Sequence, residues 1–251
     1  MKLHQAFAIA ATLLLPPAAQ AADIRLIGAV ASKSAVAEIL PAFERAQGHR
    51  VAATWASTVT IKARLAAGEV YDVIILRAPE IDALTQQGTL APGSRVDLMR
   101  SGIGMAVRAG APKPDISSAE ALKNTLLAAK TIGYSTGASG AHLKTLLDRM
   151  NIVERVGPKL RLAPPSETVG NLIANGDTEI GFQQISEVQH FPGIDYVGPL
   201  PAEVQQVTVF SAATPNGATH PQPGKALMTY IAGPAGDPAI RKHGLEPSPP
   251  R

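Results

Sequence analysis

The feature of this 251-residue chain that most restricts its fold is a repeated alternation of short apolar runs and amphipathic helices. Residues 72–76 read DVIIL, an almost wholly apolar run of the kind that forms a parallel strand buried on both faces. Two earlier runs, residues 23–30 and 50–55, are each followed by a helical pattern that ends at a glycine, Gly48 or Gly68. Three such units in succession predict a parallel sheet wrapped by helices.

The same alternation restarts further along the chain and predicts a second lobe. Residues 101–108 form a glycine-flanked strand pattern without a clear following helix, which we interpret as a crossover between lobes. A second alternating run, residues 204–212, predicts a return to the first lobe. We therefore expect an α/β protein with two lobes, each a mostly parallel sheet flanked by helices, joined by two crossover strands. The expected division is residues 22–104 plus 206–251 for the first lobe and 105–205 for the second.

The N-terminus has the layout of a secretory signal peptide. Lys2 and His4 precede an apolar run at residues 6–15, followed by two prolines and the cleavage-site pattern Ala19-Gln20-Ala21. The run is far shorter than the ~20 residues that span a bilayer. Since the chain has no cysteine, it offers no disulfide, thiolate metal site or lipid-anchor cysteine. We expect cleavage after Ala21 and a soluble, monomeric protein in the bacterial periplasm.

Composition excludes several functions. With 45% apolar and only 17% charged residues, the chain can fill a core, which argues against disorder. Its 23 basic and 20 acidic residues are too evenly balanced for a protein that binds nucleic-acid phosphates. The six histidines show no metal-ligand spacing, so we expect no metal and no cofactor.

Four strand-to-helix loops share small hydroxyl side chains at a helix start. A helix N-terminus carries unpaired N–H donors and the positive end of the helix dipole, so it binds an anion without a cation. Any one of these residues is equally explained as an ordinary N-cap, but four such loops favour a shared anion site. The loops are Ala31-Ser32-Lys33-Ser34, Ala56-Ser57-Thr58, Ser135-Thr136-Gly137-Ala138-Ser139-Gly140 and Pro165-Ser166-Glu167-Thr168.

Three further polar side chains follow strands of the predicted sheets. Arg77 comes directly after DVIIL and can clamp a carboxylate through two hydrogen bonds, although a solvated surface arginine is the alternative. Gln183 and Gln184 end the run EIGFQQ on opposite faces, so at most one of them points at a ligand.

The segment Gly133-Tyr134-Ser135-Thr136-Gly137 matches the G-x-S-x-G motif of serine hydrolases and lies between a predicted strand and a predicted helix. His190, His220 and His243 are available as the later histidine of a triad. Against this interpretation, the helix pattern begins only after residue 140, which makes the turn long for a nucleophile elbow. A secreted serine hydrolase that uses Ser135 remains the alternative function.

Residues 56–75, ASTVTIKARLAAGEVYDVII, resemble the segment A-S-S-x-x-L-x-x-Q-I-x-x-G-x-x-x-D-x-x-I of the periplasmic solute-binding proteins of ABC importers, in their molybdate-binding branch. The likeness extends over nearly the whole mature chain. It implies a two-lobed fold of the type II periplasmic-binding-protein class that closes around a ligand. In that branch, serine hydroxyls and helix-start amides hold the oxyanion, and no lysine or arginine touches it.

The resemblance implies ligand contacts in both lobes, with two departures from the family pattern. The family's first serine falls on Ala31, with Ser32 one place later. Its tyrosine, in a G-I-V-Y-x-x-D-A-like stretch, is replaced by Gln184. Together with Arg77, these departures make a small organic carboxylate a rival to molybdate. The expected ligand-binding residues are Ser32, Ser57, Thr58, Arg77, Ser135, Ser139, Gly140, Thr168, Val169 and Gln184.

We therefore expect a binding protein that captures a small anion, either a molybdate-like oxyanion or a small organic carboxylate, between its lobes. The resemblance implies that it delivers this ligand to the membrane permease of an ABC transporter and performs no chemistry on it.

Overall fold

A computed structural model of the chain describes residues 21–164 and 167–248. The expected signal peptide lies outside these residues except for Ala21, as do Pro165 and Ser166 of the fourth hydroxyl-bearing loop. The described chain forms two sheets flanked by helices, which confirms the predicted α/β class with two lobes. Within the described residues, no helix has both the length and the apolar character needed to cross a membrane.

Eleven strands and ten helices are found in the described residues. The strands are β1 (Asp23–Ala29), β2 (Arg50–Ala56), β3 (Val73–Arg77), β4 (Val96–Ser101), β5 (Ile103–Arg108), β6 (Ile132–Tyr134), β7 (Leu160–Leu162), β8 (Ile180–Gln184), β9 (Ile194–Pro199), β10 (Thr208–Ala213) and β11 (Glu246–Pro247). The helices are α1 (Lys33–Gln47), α2 (Thr58–Ala66), α3 (Ala78–Gln86), α4 (Ala119–Ala128), α5 (Ala138–Arg149), α6 (Val153–Val156), α7 (Val169–Asn175), α8 (Ile185–Val188), α9 (Pro221–Ala232) and α10 (Asp237–Lys242).

The first sheet has the strand order β11-β4-β10-β3-β1-β2. Strand β1 pairs in parallel with β2 and β3, and β10 pairs antiparallel with both β3 and β4, so β1 to β4 all run in one direction. The apolar run predicted to be buried on both faces is β3, whose Ile74 and Ile75 are fully buried in different core clusters. Ile75 packs with α1 residues such as Phe43, whereas Ile74 packs with Ile61 and Ile81 of α2 and α3.

The second sheet has the strand order β7-β6-β8-β5-β9. Strands β6, β7 and β8 are parallel, and β5 is antiparallel to its neighbours β8 and β9. Its main core lies between the sheet and helices α4 and α5, where Leu122, Leu126, Leu143 and Phe182 are buried. A smaller cluster around Val169 covers the other face of the sheet.

Two crossover segments connect the lobes and lie side by side. Strand β4 passes through the single residue Gly102 into β5, and the chain returns through residues 200–207 into β10. The side chain of Gln205 binds the first crossover at both backbone atoms of Ile103, because its Oε1 accepts from the N–H at 2.8 Å and its Nε2 donates to the carbonyl at 3.0 Å. This pair of bonds fixes the two segments to each other at the junction.

Several elements differ from the sequence prediction. The strand predicted at residues 101–108 corresponds to β5, and its first residue, Ser101, is the last residue of β4, a strand of the other sheet that was not predicted. Helix α5 begins at Ala138, although the pattern predicted a start after Gly140. This difference arises because Gly140 occupies the first turn of the helix, where glycine packs against the preceding loop instead of ending the element. Helix α3 and strand β9 were not predicted.

Candidate functional site

The topology brings carboxyl ends of strands from both sheets to one junction between the lobes. Because β4 runs parallel to β1, β2 and β3, those strands end at the edge where β4 leaves the first sheet. In the second sheet Ile103, at the start of β5, pairs with Gln184, at the end of β8, so β6, β7 and β8 end at the same junction. Residues of α8 contact the 3-10 turn Val30–Ser32 of the first lobe. Ligands of open α/β sheets bind beyond strand carboxyl ends, so this junction is the candidate site.

The first lobe places two of its predicted hydroxyl loops at this edge, and they differ in exposure. Ser32 is fully buried, and its hydroxyl donates to the carbonyl of Ala29 at 2.8 Å, which closes the turn after β1. Ser57 is exposed and caps α2, since its hydroxyl accepts from the N–H of Thr60 at 3.2 Å. Thr58 is the first residue of that helix and is partly exposed. Of the hydroxyls predicted to bind ligand in this lobe, the accessible ones are therefore at the start of α2.

In the second lobe, the loop after β6 packs tightly onto the start of α5. The hydroxyl of Ser135 accepts from the N–H of Gly137 at 3.2 Å, and Ser139 is buried in the first turn of the helix. Gly140 lies so close to the loop that a Cβ there would overlap the carbonyl oxygen of Ser135 and lie 2.9 Å from its carbonyl carbon. The glycine therefore sets the path of residues 135–137 over the helix N-terminus.

The start of α7 is satisfied by side chains of its own lobe. Thr168 and Asn171 form a capping box, in which the Thr168 N–H donates to Asn171 Oδ1 at 2.9 Å. The N–H of Val169 donates to Gln183 Oε1 at 3.2 Å. The backbone N–H groups of Thr168 and Val169, which were predicted to bind the ligand, therefore both have hydrogen-bond partners within the protein.

Gln183 and Gln184 are both buried and have different partners. Gln184 lies at the junction, within 3.3 Å of the hydroxyl of Thr208 where β10 enters the first sheet. With its amide nitrogen turned toward the first crossover, it also donates to the carbonyls of Ser101 and Gly102 at 3.2 Å. Gln184 therefore links both crossovers and β8.

Arg77 ends β3 and is held by an ion pair with Glu80, three residues later on α3. Its side chain is 30% exposed, and its Nε is buried without a hydrogen-bond partner among the described residues. The second carboxylate oxygen of Glu80 is likewise buried and unpaired. Sequence reasoning named the arginine but missed Glu80, although an acidic residue three positions along a helix is a recognisable partner. Lys33 adds an exposed cation at the start of α1.

Glu187, which the sequence reasoning also missed, is the most perturbed acid of this region. It lies on α8, and Gln183 Nε2 donates to its Oε1 at 2.7 Å. Burial raises the pKa of Glu187 to about 7, and the bond from Gln183 acts in the opposite direction. No sequence pattern marks this pair, because Gln183 belongs to a strand and Glu187 to the helix that follows it.

The geometry around Ser135 gives no support for a serine hydrolase. The ring nitrogens of His190 and His243 bind Lys242 and Glu38, and within the described residues no histidine bonds to Ser135. Nor do the described residues bring three histidine, aspartate or glutamate side chains together in a metal-binding group.

Comparison with known proteins identifies the family. The model of the family described as bacterial extracellular solute-binding protein matches residues 24–246. The chain belongs to this family. Solute-binding proteins of this family bind small ligands and act with the permeases of ABC importers. The molybdate-binding protein ModA of Azotobacter vinelandii is 25% identical over 243 residues, which cover 92% of each chain, and confirms the resemblance drawn from the sequence.

A solved structure and a second relative bear on the fold and on the range of similar proteins. The structure of the periplasmic molybdate-binding protein of Azotobacter vinelandii matches 91% of this chain and 100% of its own, with a TM-score of 0.74 and 17% identity, and so supports the same fold. An aconitate isomerase from a Pseudomonas species is 40% identical over 220 residues, which cover 85% of this solute-binding protein and 84% of the isomerase. This chain is therefore similar both to a molybdate-binding protein and to a protein named as an isomerase.

Proposed function

We propose that this solute-binding protein binds aconitate between its lobes and interconverts its cis and trans isomers. The observation that carries the proposal is the 40% identity to an aconitate isomerase over more than four fifths of both chains. The sequence favoured binding without chemistry, with molybdate or an organic carboxylate as ligand. Of these two ligands we now choose the organic acid, and we add a reaction.

The polar groups at the junction suit a ligand with several carboxylates. Aconitate carries three, and each can accept hydrogen bonds from backbone amides, hydroxyls or a guanidinium. The start of α2, with Ser57 and Thr58, and the loop at Ser135 offer neutral donors. Arg77 and Lys33 supply positive charge that the molybdate-binding branch does without. We assign the carboxylates to these groups.

Exposed apolar side chains at the same strand ends favour a ligand with a carbon skeleton. Val30 and Val59 follow β1 and β2, Leu162 ends β7, and Val207 precedes β10; they are 36%, 69%, 48% and 54% exposed. An inorganic oxyanion surrounded by donors makes no use of such surface. An unsaturated organic acid, or closure of the lobes over it, covers apolar area that water otherwise contacts.

The reaction needs a proton carrier and no redox partner. A base removes a proton from the methylene carbon of aconitate, and the electron pair of that C–H bond forms a new double bond to the central carbon. The former double bond opens, and its outer carbon takes up a proton to become the new methylene. The product is again aconitate, and its cis or trans geometry is set by the rotation about the former single bond when the proton leaves.

The direct test is to add the purified mature protein to trans-aconitate, and separately to cis-aconitate, and to follow the vinyl protons by NMR. We expect both solutions to reach the same mixture of isomers. Two unchanged solutions after prolonged incubation contradict the proposal. Arg77→Ala is expected to weaken aconitate binding at least tenfold in calorimetry, and Arg77→Lys to weaken it less. Arg155→Ala, which removes an exposed arginine of α6, is the matched control and should bind as the wild type does.

Family membership favours a second function, the delivery of a small anion to an ABC permease from the periplasm after cleavage following Ala21. Calorimetry with molybdate, tungstate, sulfate and phosphate tests the oxyanion form of this function. Tight binding of molybdate with no binding of aconitate favours delivery of an oxyanion and contradicts the isomerase proposal. N-terminal sequencing of the protein recovered from the periplasm tests its location.

A further inference from the structure

The segment after β8 places a carboxylate beside the junction of the lobes. Helix α8 begins at Ile185, whose N–H donates to the carbonyl of Gly102 in the first crossover at 3.0 Å. The helix also contacts the turn Val30–Ser32 of the first lobe. Glu187 therefore lies on the element of the second lobe that touches the first lobe at the candidate site.

Two hydrogen bonds hold this carboxylate in a defined orientation. The N–H of Val169, at the start of α7, donates to Gln183 Oε1, so the other end of that amide must present its N–H₂ group to Glu187. Glu187 Oε1 accepts this bond at 2.7 Å. Its Oε2 forms no hydrogen bond to any described residue, and the side chain is partly exposed. One oxygen is thus fixed by the protein and the other is available.

On the basis of the isomerase function proposed above, we propose that Glu187 is the catalytic acid–base group, held by the Val169–Gln183 hydrogen-bond relay. Its free Oε2 removes the methylene proton of bound aconitate, and the protonated carboxyl returns a proton to the other end of the three-carbon unit. The two carbons flank one central carbon, so a single carboxyl oxygen can reach both. The carboxyl ends the cycle in its starting state.

The surroundings of Glu187 suit both halves of this cycle. A pKa of about 7, raised by burial, keeps the carboxylate and the carboxylic acid close in free energy near neutral pH. Arg108 of β5 and Asp195 of β9 lie at the ends of their strands remote from the junction. Tyr196 has a pKa raised by burial to about 12, so it stays neutral. Lys33 follows the contacting turn, and none of these groups forms an ion pair with Glu187 within the described residues.

The test compares Glu187→Gln with wild type in two measurements, aconitate binding by calorimetry and aconitate conversion by NMR in D₂O. Glutamine keeps the acceptor for Gln183 Nε2 and nearly the same volume, but it cannot take up a proton. We expect affinity within about threefold of wild type, isomerisation slower by about 10²–10⁴-fold, and loss of deuterium exchange at the methylene. Glu154→Gln, at an exposed position of α6, is the control and should convert aconitate at the wild-type rate.

The pH profile provides the second readout. For wild type, kcat/KM should rise with pH as the free carboxyl loses its proton near pH 7, and Glu187→Asp should keep a weaker activity with a displaced profile. Isomerisation by Glu187→Gln at the wild-type rate overturns the assignment while leaving the isomerase function intact. Loss of aconitate binding in that variant also overturns it, because Glu187 is then a ligand or structural group. An inactive wild-type protein overturns both proposals.

Discussion

The contact between Gly140 and the loop after β6 yields a prediction that depends on the detailed path of the chain. In Gly140→Ala, the new Cβ overlaps the carbonyl oxygen of Ser135, lies 2.9 Å from its carbonyl carbon and 3.1 Å from the Tyr134 ring. Carbon atoms pack at about 3.5–4.0 Å, so the loop has to move by roughly 1 Å. The obstacle is backbone, which cannot rotate away as a flexible side chain can.

We expect this overpacking to cost about 2–3 kcal/mol, of which up to ~1 kcal/mol is offset by the better helix propensity of alanine. A net loss of about 1–2 kcal/mol lowers Tm by roughly 2–8 °C in a protein of this size. The displaced loop also carries the proposed donors at Ser135, so aconitate affinity in calorimetry should fall at least tenfold. Thermal unfolding followed by circular dichroism gives the stability change.

Gly157→Ala is the matched control. Gly157 has right-handed helical backbone angles (φ −48°, ψ −48°), and a Cβ there meets nothing within 4 Å. Alanine should be neutral at that position or stabilising by up to ~1 kcal/mol, because it restricts the unfolded chain. If Gly140→Ala matches the control in both Tm and affinity, the loop does not pack on α5 as described and the argument is refuted.

Three further predictions concern stability. The buried carboxylate of Asp72 accepts hydrogen bonds from the backbone N–H groups of Arg25 at 2.8 Å and His220 at 2.6 Å. In urea titration, Asp72→Ala should lower the free energy of unfolding by about 3–5 kcal/mol, and Asp72→Asn should lower it less. Equal stability of the wild type and both variants contradicts this. Gln205→Ala leaves the N–H of the first crossover without its acceptor and should cost about 1–2 kcal/mol by the same assay, whereas an unchanged midpoint argues against the bridge. Because Glu187 has a higher pKa in the folded protein than in the unfolded chain, the folded state binds more protons between about pH 4.5 and 7. The free energy of unfolding should therefore fall as pH rises through this window. Glu187→Gln should flatten this pH dependence of stability. An equally steep curve for that variant excludes Glu187 as the source.

The architecture could be predicted from the sequence because local patterns determine it. A run such as DVIIL is almost wholly apolar, so it can only be a strand covered on both sides, and the two runs before it were each followed by a helical pattern. Helix α7 begins at Val169 as predicted, since Thr168 is a recognisable N-cap. Strand β4 could not be read in this way, because its sequence VDLMRS mixes charged and apolar residues, and only the fold shows that Gly102 separates it from β5 in the other sheet.

The details of the site depend on contacts between residues far apart in the chain, which no local pattern reports. Ser32 was chosen for a free hydroxyl, yet this hydroxyl is buried in its own turn. Strand alternation predicted different surroundings for the side chains of Gln183 and Gln184. Only the fold shows that Gln183 orients Glu187 and that Gln184 joins the crossovers. Glu187 itself has an unremarkable sequence context. Its raised pKa arises from burial beside elements distant in sequence.

The central claim is that the two lobes together enclose one small organic anion, and a distance measured between them tests it most directly. The chain has no native cysteine, so Val70→Cys in the first lobe and Val153→Cys on α6 allow specific spin labelling of each lobe at exposed positions outside the proposed site. Saturation with trans-aconitate should shorten the distance between these labels in pulsed electron resonance. A control pair within the first lobe, Val70→Cys with Lys225→Cys on α9, should keep its distance. If calorimetry shows that aconitate binds while the inter-lobe distance stays the same, the ligand does not lie between closing lobes and the account is contradicted.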